Sequence, residues 1–425
     1  MEKADNLSAL LRVAKPYPLE GETFKLFYTD TDEARGQNSA QKLSNYLRAN
    51  YDDPQKILFM GHRGCGKSTE LWRVSKELEG QFEIIRFSIK DETDINDLNH
   101  MNVLFIILSK LVDTVPEELK DNQPILDNLI SYWKDTKIKE IIDFEKAEAQ
   151  AGGQANIGFL KYIKLSVGGI LKTGKESKET VRKHIEPRLS EMINSANDLI
   201  RILKQKLRKD NKEPLIIIED LDKLSIGIAE DLFLNHKEIL TALDIHIIYT
   251  FPIFLYYSEK IDAIRDAFSY SEILSMIKVK NKNGKPNETG VIVFKQLIER
   301  RVDSFLFNTN VMEFLIEKSG GSLRHLFEMI IRAALAAMGK NLKAIDMASA
   351  KSAYNELKST LERSIAEEHI PSLIEINKSS DKKPLRNRFL LELLNAAAVI
   401  EYNGERWCDL HPAIVDMLRD KRLIA

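Results

Sequence analysis

The sequence predicts an α/β protein: a parallel sheet covered by helices on both faces, followed by a helical region and a small C-terminal unit. Three observations carry that expectation. Short apolar runs of strand length alternate with longer segments of helical period. One of those runs, Lys56–Met60, passes through a glycine-rich loop straight into a helix. The composition is 44% apolar and 30% charged over 425 residues, which excludes wholesale disorder and suits two to three domains at roughly 150 residues each.

In chain order, a short helix at Asn6–Val13 precedes a proline-broken stretch, Lys15–Gly21, and then the segment Phe27–Gly36. A helix is expected at Ser39–Arg48, a strand at Lys56–Met60, a helix from Lys67 to about Glu79, a strand at Phe82–Ile89 and an amphipathic helix at Asn96–Val112. This strand–helix alternation is what a doubly covered parallel sheet requires. Residues 116 to about 212 interrupt it with a Lys- and Glu-rich, mostly helical insertion. At its middle, Ala151–Gly169 alternates at Ile163, Leu165 and Val167 between glycines, as an inserted hairpin or loop would. That segment either packs on the surface of the domain or touches a membrane or a neighbouring subunit.

A long helix, Lys178–Leu207, leads back to the sheet. Next come a strand at Leu215–Ile218, helices at Gly227–Phe233 and Asn235–Leu243, a strand at Ile245–Thr250, a helix at Tyr257–Phe268 and a strand at Ile273–Val279. After the Asn283-Gly284 turn signal the pattern is helical: Val291–Leu306, Asn310–Lys318, Leu323–Ala337 and Ala348–Ser364. A polar basic break, Lys378–Pro384, leads to a helix at Leu385–Ala397. A hairpin with arms Val399–Tyr402 and Arg406–Leu410 then turns on Asn403-Gly404, the strongest short-range hairpin cue.

Charge and cysteine content narrow the function. With 62 Lys+Arg against 64 Asp+Glu the net charge is -2, so there is no global basic field to attract nucleic acid, although a local basic face is still allowed. Two cysteines, Cys65 and Cys408, are too few for a disulfide scaffold or a four-ligand zinc site. The polar, acidic start MEKADN does not read as a secretory signal. The longest apolar runs, Val103–Leu108 and Leu215–Ile218, fall well short of the ~20 residues that span a bilayer. A soluble protein of the reducing cytoplasm is expected.

The chemistry sits in two segments. Gly61-His62-Arg63-Gly64-Cys65-Gly66-Lys67-Ser68 fits G-x-x-x-x-G-K-[ST] in full, between an apolar strand and a helix. Glycines let backbone N–H groups turn inward around phosphates, and the helix N-terminus adds partial positive charge. Lys67 is placed to reach the β- and γ-phosphates and the Ser68 hydroxyl to ligate Mg²⁺, with Thr69 beside it. Cys65 is either a small loop filler or a redox sensor. The second segment is Leu215–Leu224, LIIIEDLDKL, where Glu219 and Asp220 follow the last apolar residue of a strand. One carboxylate should serve the metal and the other polarise the attacking water. Glu219 for the metal and Asp220 for the water is the first choice, and Asp220 for the metal the alternative. Asp222 suits a cap on the following helix.

With these segments the chain resembles AAA+ ATPases, in the branch that contains archaeal origin-recognition initiators and STAND signalling ATPases. GHRGCGKST is similar to Walker A and IIIEDLD to Walker B; the DLDK after it is also similar to KAP-type P-loop proteins. Thr250, closing the strand IHIIYT, stands where the family places its first γ-phosphate sensor. SGGSLRHLFEMI resembles the second-sensor segment, which makes Arg324 the lid arginine. The resemblance covers roughly residues 20–340. It further implies that Phe27 or Tyr28 stacks on the adenine, that Arg35 faces a phosphate or a neighbouring subunit, and that Arg265 is an arginine finger, with Arg300 and Arg301 as rivals; plain packing or solvated roles are the alternatives.

The implied organisation is a three-layer ATPase core over residues 1–290, a helical lid over 291–345 and a winged-helix-like unit over 346–425. In that last unit Arg386, Arg388 and Arg406 would meet DNA. Glu392, Glu401, Glu405 and Asp409 dilute the charge there, which suits a protein-docking module instead, and Trp407 and His411 suit core and turn positions. The implied function is an ATP- and Mg²⁺-dependent switch that controls homo-oligomerisation and engagement of a partner or effector protein, in a setting such as phage defence. The alternatives are a DNA-binding loader or transposition or replication regulator, and a STAND-like sensor with a separate effector.

Overall fold

The computed structural model of the chain describes residues 2–114, 186–383, 388–402 and 407–424. The Gly-rich segment Ala151–Gly169, most of the expected insertion, Arg386, the Asn403-Gly404 turn and Arg406 lie outside the described residues. Of Arg388 only the backbone is described.

Five strands, β1 (Lys56–Gly61), β2 (Phe82–Ser88), β3 (Glu213–Glu219), β4 (His246–Pro252) and β5 (Tyr270–Ile273), form one sheet in the order β2-β3-β4-β1-β5. All four pairings are parallel. Every residue of the interior strands β1, β3 and β4 is buried. That is why their sequences read as unbroken apolar runs: helices cover both faces of a parallel sheet. The register sets Glu219 of β3 beside Ser88 of β2, and Phe59 of β1 beside Thr250 of β4. The strands therefore end together on one edge, where the loops after β1 and β3 meet.

β5 departs from expectation. The apolar run Ile273–Val279 was expected as strand, yet pairing with β1 covers Tyr270–Ile273 and ends opposite Met60. Beyond Met60 the partner strand turns into the glycine-rich loop and offers no further ladder. The run continues instead into a different environment, where Met276 bridges Tyr402 of the C-terminal hairpin.

The helices around the sheet are α1 (Leu7–Val13), α2 (Gly21–Phe27), α3 (Asp32–Arg35), α4 (Ser39–Ala49), α5 (Lys67–Leu78), α6 (His100–Thr114), α7 (Leu189–Leu207), α8 (Ile226–Glu230), α9 (Lys237–Thr241) and α10 (Ile261–Arg265). Asn6 and Asn38 cap α1 and α4 by accepting from backbone N–H groups. α6 starts later than its apolar spacing suggests, because Asp94 caps a separate 3₁₀ turn at Ile95–Asp97. α8 runs on into π-helix at Asp231–Asn235.

A second group follows: α11 (Glu288–Glu299), α12 (Val311–Lys318), α13 (Leu323–Gly339) and α14 (Met347–Glu362). α11 ends before the expected Leu306. Residues beyond it are recruited by the N-terminus, where Ala4 donates to the Arg301 carbonyl at 2.8 Å and Asp303 donates to the Ala4 carbonyl at 2.9 Å. Last come α15 (Ile370–Lys378), α16 (Arg388–Asn395), the antiparallel strands β6 (Val399–Tyr402) and β7 (Trp407–Leu410), and α17 (Pro412–Asp420). This hairpin docks against the rest of the molecule. The Tyr402 hydroxyl donates to the Gly320 carbonyl at 2.7 Å, and Lys280 pairs with Asp409 at 2.7 Å. No described helix is long and apolar enough to cross a membrane.

Candidate nucleotide-binding site

The loop Gly61–Ser68 lies between β1 and α5, at the mouth of a cavity of about 650 Å³. Gly64 and Gly66 have φ of +82° and +105°, a left-handed conformation that side chains rarely adopt. Space demands glycine too: a Cβ on Gly64 would lie 2.6 Å from the Cβ of Arg324. Lys67 reaches back over the loop and donates to the carbonyls of Gly61 (2.8 Å) and His62 (2.9 Å). It also pairs with Asp222 at 2.9 Å, both side chains being about 7% exposed or less. Burial alone would lower the lysine's pKa; the Asp222 carboxylate raises it, so Lys67 is held as a cation. Asp222 therefore does not cap the following helix: it lies in a 3₁₀ turn, Leu221–Lys223, and faces the phosphate loop.

Glu219 and Asp220 follow β3 on the same edge and both line the cavity. Their environments push them apart. Burial raises the pKa of Glu219, only partly opposed by Arg86, whose Nε donates to its carboxylate, and by the Ser68 hydroxyl. For Asp220 burial also acts upward, but Lys223 at 2.5 Å, Lys90 at 3.0 Å and the Ser88 hydroxyl at 2.8 Å outweigh it and lower its pKa. Asp220 has φ of +70°, a left-handed conformation uncommon outside glycine and of the kind that collects at functional sites. Thr250 fixes this corner from β4: its hydroxyl accepts from the Leu221 N–H at 3.0 Å and donates to the Ile218 carbonyl at 3.1 Å.

The lid side is formed by α13, whose first turn rests on the loop. The Arg324 N–H points at the Gly64 carbonyl at 3.4 Å, Leu323 would contact a Cβ on Gly66, and Arg324 lines the cavity. Opposite, residues 16–20 cross the opening, fastened where Leu19 N–H donates to the Thr69 hydroxyl at 3.0 Å. Arg35, almost fully buried, donates to the Cys65 carbonyl (2.6 Å), to the Thr31 hydroxyl (2.8 Å) and to the Ser275 carbonyl. Each of its three nitrogens thus donates to a protein oxygen, and the guanidinium braces the loop from behind. Cys65 and His62 are buried, and the His62 ring accepts the Glu401 N–H at 2.8 Å. Burial depresses the pKa of this histidine to about 3.

Arg63 lines the cavity and donates to the Lys223 carbonyl at 3.0 Å. Of the aromatic pair, Tyr28 lines the cavity while Phe27 is buried beneath Arg301. Arg265 is elsewhere: on α10, its side chain is 54% exposed and 3.9 Å from Asp262. Arg301, another candidate, is 5% exposed and lines the chain's own cavity.

Neither a protein-family profile nor any curated protein matches the chain. Among solved structures it is similar to the ORC2 protein of Aeropyrum pernix, with 12% identity and a TM-score of 0.42 over 97% of this chain and 98% of that one. It is also similar to a Walker-type ATPase of Pyrococcus abyssi (13%, 0.45, 96% and 99%) and to the Holliday-junction branch migration motor RuvB of Thermotoga maritima (11%, 0.39, 96% and 98%). The parallel α/β sheet with its phosphate loop, implied by the AAA+ resemblance, is present in this chain.

Sequence reasoning did not find Asp222 as the partner of Lys67, Arg86 as that of Glu219, or Lys90 and Lys223 as those of Asp220. Arg86 and Lys90 flank the neighbouring strand end, so the register Ser88↔Glu219 is the information that was missing. Residues 16–20, with prolines at 16 and 18, lie far ahead of the phosphate-loop strand in sequence, and only the tertiary structure carries them across the cavity opening.

Proposed function

We propose that the protein is an AAA+ ATPase that binds Mg·ATP and hydrolyses its β–γ bond, acting as a nucleotide-dependent switch. The observation that carries this reading is the convergence of Lys67, Ser68, Glu219, Asp220 and Arg324 on one cavity closed by α13. In this reading Lys67 and the loop amides hold the phosphates, with Lys67 exchanging Asp222 for the ligand. Asp220, kept ionised by its lysines, orients the attacking water. The hydroxyl of Ser68 and the carboxylate of Glu219 are bonded to one another, and such hard oxygen donors fit Mg²⁺. When bound, Mg²⁺ would neutralise charge on the phosphate oxygens. Thr250 relays the state of the acidic corner into β4, and Arg324 relays occupancy to the lid.

The organisation we propose is an ATPase core over 1–290, a lid over 291–345 and a winged-helix-like unit over 346–425. Arg265, exposed and weakly paired, is proposed to act on the nucleotide of an adjacent subunit. A protein-docking role for the C-terminal unit is favoured over DNA binding by one observation: Lys382, in the basic break Lys378–Pro384, is already held by Asp409 at 3.1 Å and by the Asn377 carbonyl at 3.1 Å. Light scattering after size exclusion, with ATP, ADP or no nucleotide and with or without duplex DNA, tests the switch. ATP-dependent assembly that ignores DNA supports it; a single species under every condition opposes it.

A further inference from the structure

Arg301 is a buried cation for which the described residues supply no acceptor. Its guanidinium carbon lies 4.2 Å from the ring centroid of Phe327 and 5.9 Å from that of Phe27, and the side chain lines the nucleotide cavity. Its Nε is buried without a hydrogen-bond partner. Burial, with no carboxylate to oppose it, brings its pKa down to about 10, so it stays charged at neutral pH. The contrast with Arg35 is direct: that arginine is equally buried, but each of its nitrogens donates to a protein oxygen. A second polar group in the same cavity shares the condition of Arg301. The Thr29 hydroxyl is buried and has no partner.

Proteins seldom retain buried polar groups without hydrogen-bond partners, since each loses its hydration for nothing. Two on one cavity wall mark a place where a ligand completes the bonding. Position says which part of the ligand. Leu323 and Arg324 touch the phosphate loop at Gly66 and Gly64. Phe327, under the guanidinium, is one helical turn further along α13. Leu297, one turn before Arg301, and Leu19 add apolar wall at this end. A flat ring with acceptors on its edge fits such a surface.

We propose that Arg301 and Thr29 are the base-reading residues of the site. The guanidinium donates to a ring nitrogen, and the Thr29 hydroxyl accepts from an exocyclic amine. Together they match the acceptor-plus-donor edge of adenine. This rests on the reading that the cavity takes a nucleoside triphosphate with its phosphates at Lys67. Arg301 is thereby assigned to its own subunit's nucleotide.

The test uses the full-length chain, with calorimetric binding of ATP, GTP and inorganic tripolyphosphate as a base-free probe, and with thermal melts in the absence of ligand. Arg301→Met should weaken ATP by at least about tenfold, while tripolyphosphate changes by less than about twofold. The unliganded melting temperature should hold or rise, because an uncompensated buried charge is removed. Thr29→Val should erode the preference for ATP over GTP. An Arg301→Met protein that loses tripolyphosphate as strongly as ATP would make Arg301 a phosphate contact and overturn the proposal. Unchanged ATP binding, or a sharp drop in the unliganded melting temperature, would overturn it as well, and tighter wild-type binding of GTP than ATP would overturn the adenine assignment. Failure of the phosphate reading looks different: the wild type would then bind neither ATP nor tripolyphosphate, and both assignments would fall together.

Discussion

Lys67 and Asp222 form a buried ion pair at the centre of the phosphate loop, and this sets what a substitution there does. Removing one partner strands the other charge, which costs about 3–5 kcal/mol in such sites. Lys67→Ala should therefore abolish tight ATP binding and also lower unfolding stability by about 3 kcal/mol. The double variant Lys67→Ala/Asp222→Ala should recover much of that stability but none of the binding. Denaturant titration with calorimetry separates the two effects, and a double variant no more stable than the single would show the pair to be uncoupled. Asp220 carries the other prediction at this scale. Asp220→Asn should bind ATP yet hydrolyse it at least about tenfold more slowly, since an amide orients water less well than a carboxylate. Normal turnover in Asp220→Asn, with loss in Glu219→Gln, would reverse the assignment of the two.

Among the elements, the contact between the phosphate loop and α13 is the one that links nucleotide to lid. It depends on the missing Cβ of Gly64, which leaves room for Arg324. Gly64→Ala should thus do two things: strain a backbone at φ of +82° and push the first turn of α13 away from the loop. The expected outcome is at least about tenfold weaker nucleotide binding and faster amide exchange at the start of α13, with the sheet unaffected. Exchange mass spectrometry reads this directly, and unchanged protection of residues 323–327 would mean that the loop and helix are not coupled.

At the level of the whole molecule, the C-terminal hairpin is attached through neutral histidines. His411 Nδ1 accepts the Ala413 N–H at 3.1 Å, so its Nε2 carries the proton and donates to His325 Nδ1 at 3.1 Å. His62 accepts from Glu401 in the same interface. Burial first, then nearby cations, depress these groups: Arg324 acts on His325, and Lys67 on His62, while His411 feels His325 and Lys280. The folded pKa of His325 falls from 6.5 to about 4. A histidine depressed in the folded state binds fewer protons there than when unfolded. Its contribution is fully present above the unfolded value and is lost as pH falls from about 6.5 toward about 4. The melting temperature should drop over that window, and the amides of β6 should lose protection before those of β1. His325→Phe should flatten the slope between pH 6.5 and pH 4; a variant with the wild-type slope would assign the acid sensitivity elsewhere.

What could be read without the structure was local. Strands β1, β3 and β4 announce themselves because interior strands of a parallel sheet are apolar on both faces. The phosphate loop announces itself because glycine, lysine and serine are required at a set spacing by one short stretch of backbone. The pairings that set the charge states of the site were not readable. Glu219 meets Arg86, and Asp220 meets Lys90, only once β2 lies beside β3 in one register, and Lys67 meets Asp222 only once β4 brings β1 and β3 to a common edge. The end of β5 was hidden for the same reason, since Ile273–Val279 is mostly apolar and only the departure of β1 into its loop stops the ladder. Arg301 is the plainest case: in sequence it is one of two adjacent arginines after a helix, and tertiary burial against Phe327 alone separates it from an exposed charge. Composition and spacing act through neighbours along the chain, whereas burial and ion pairing depend on neighbours across it.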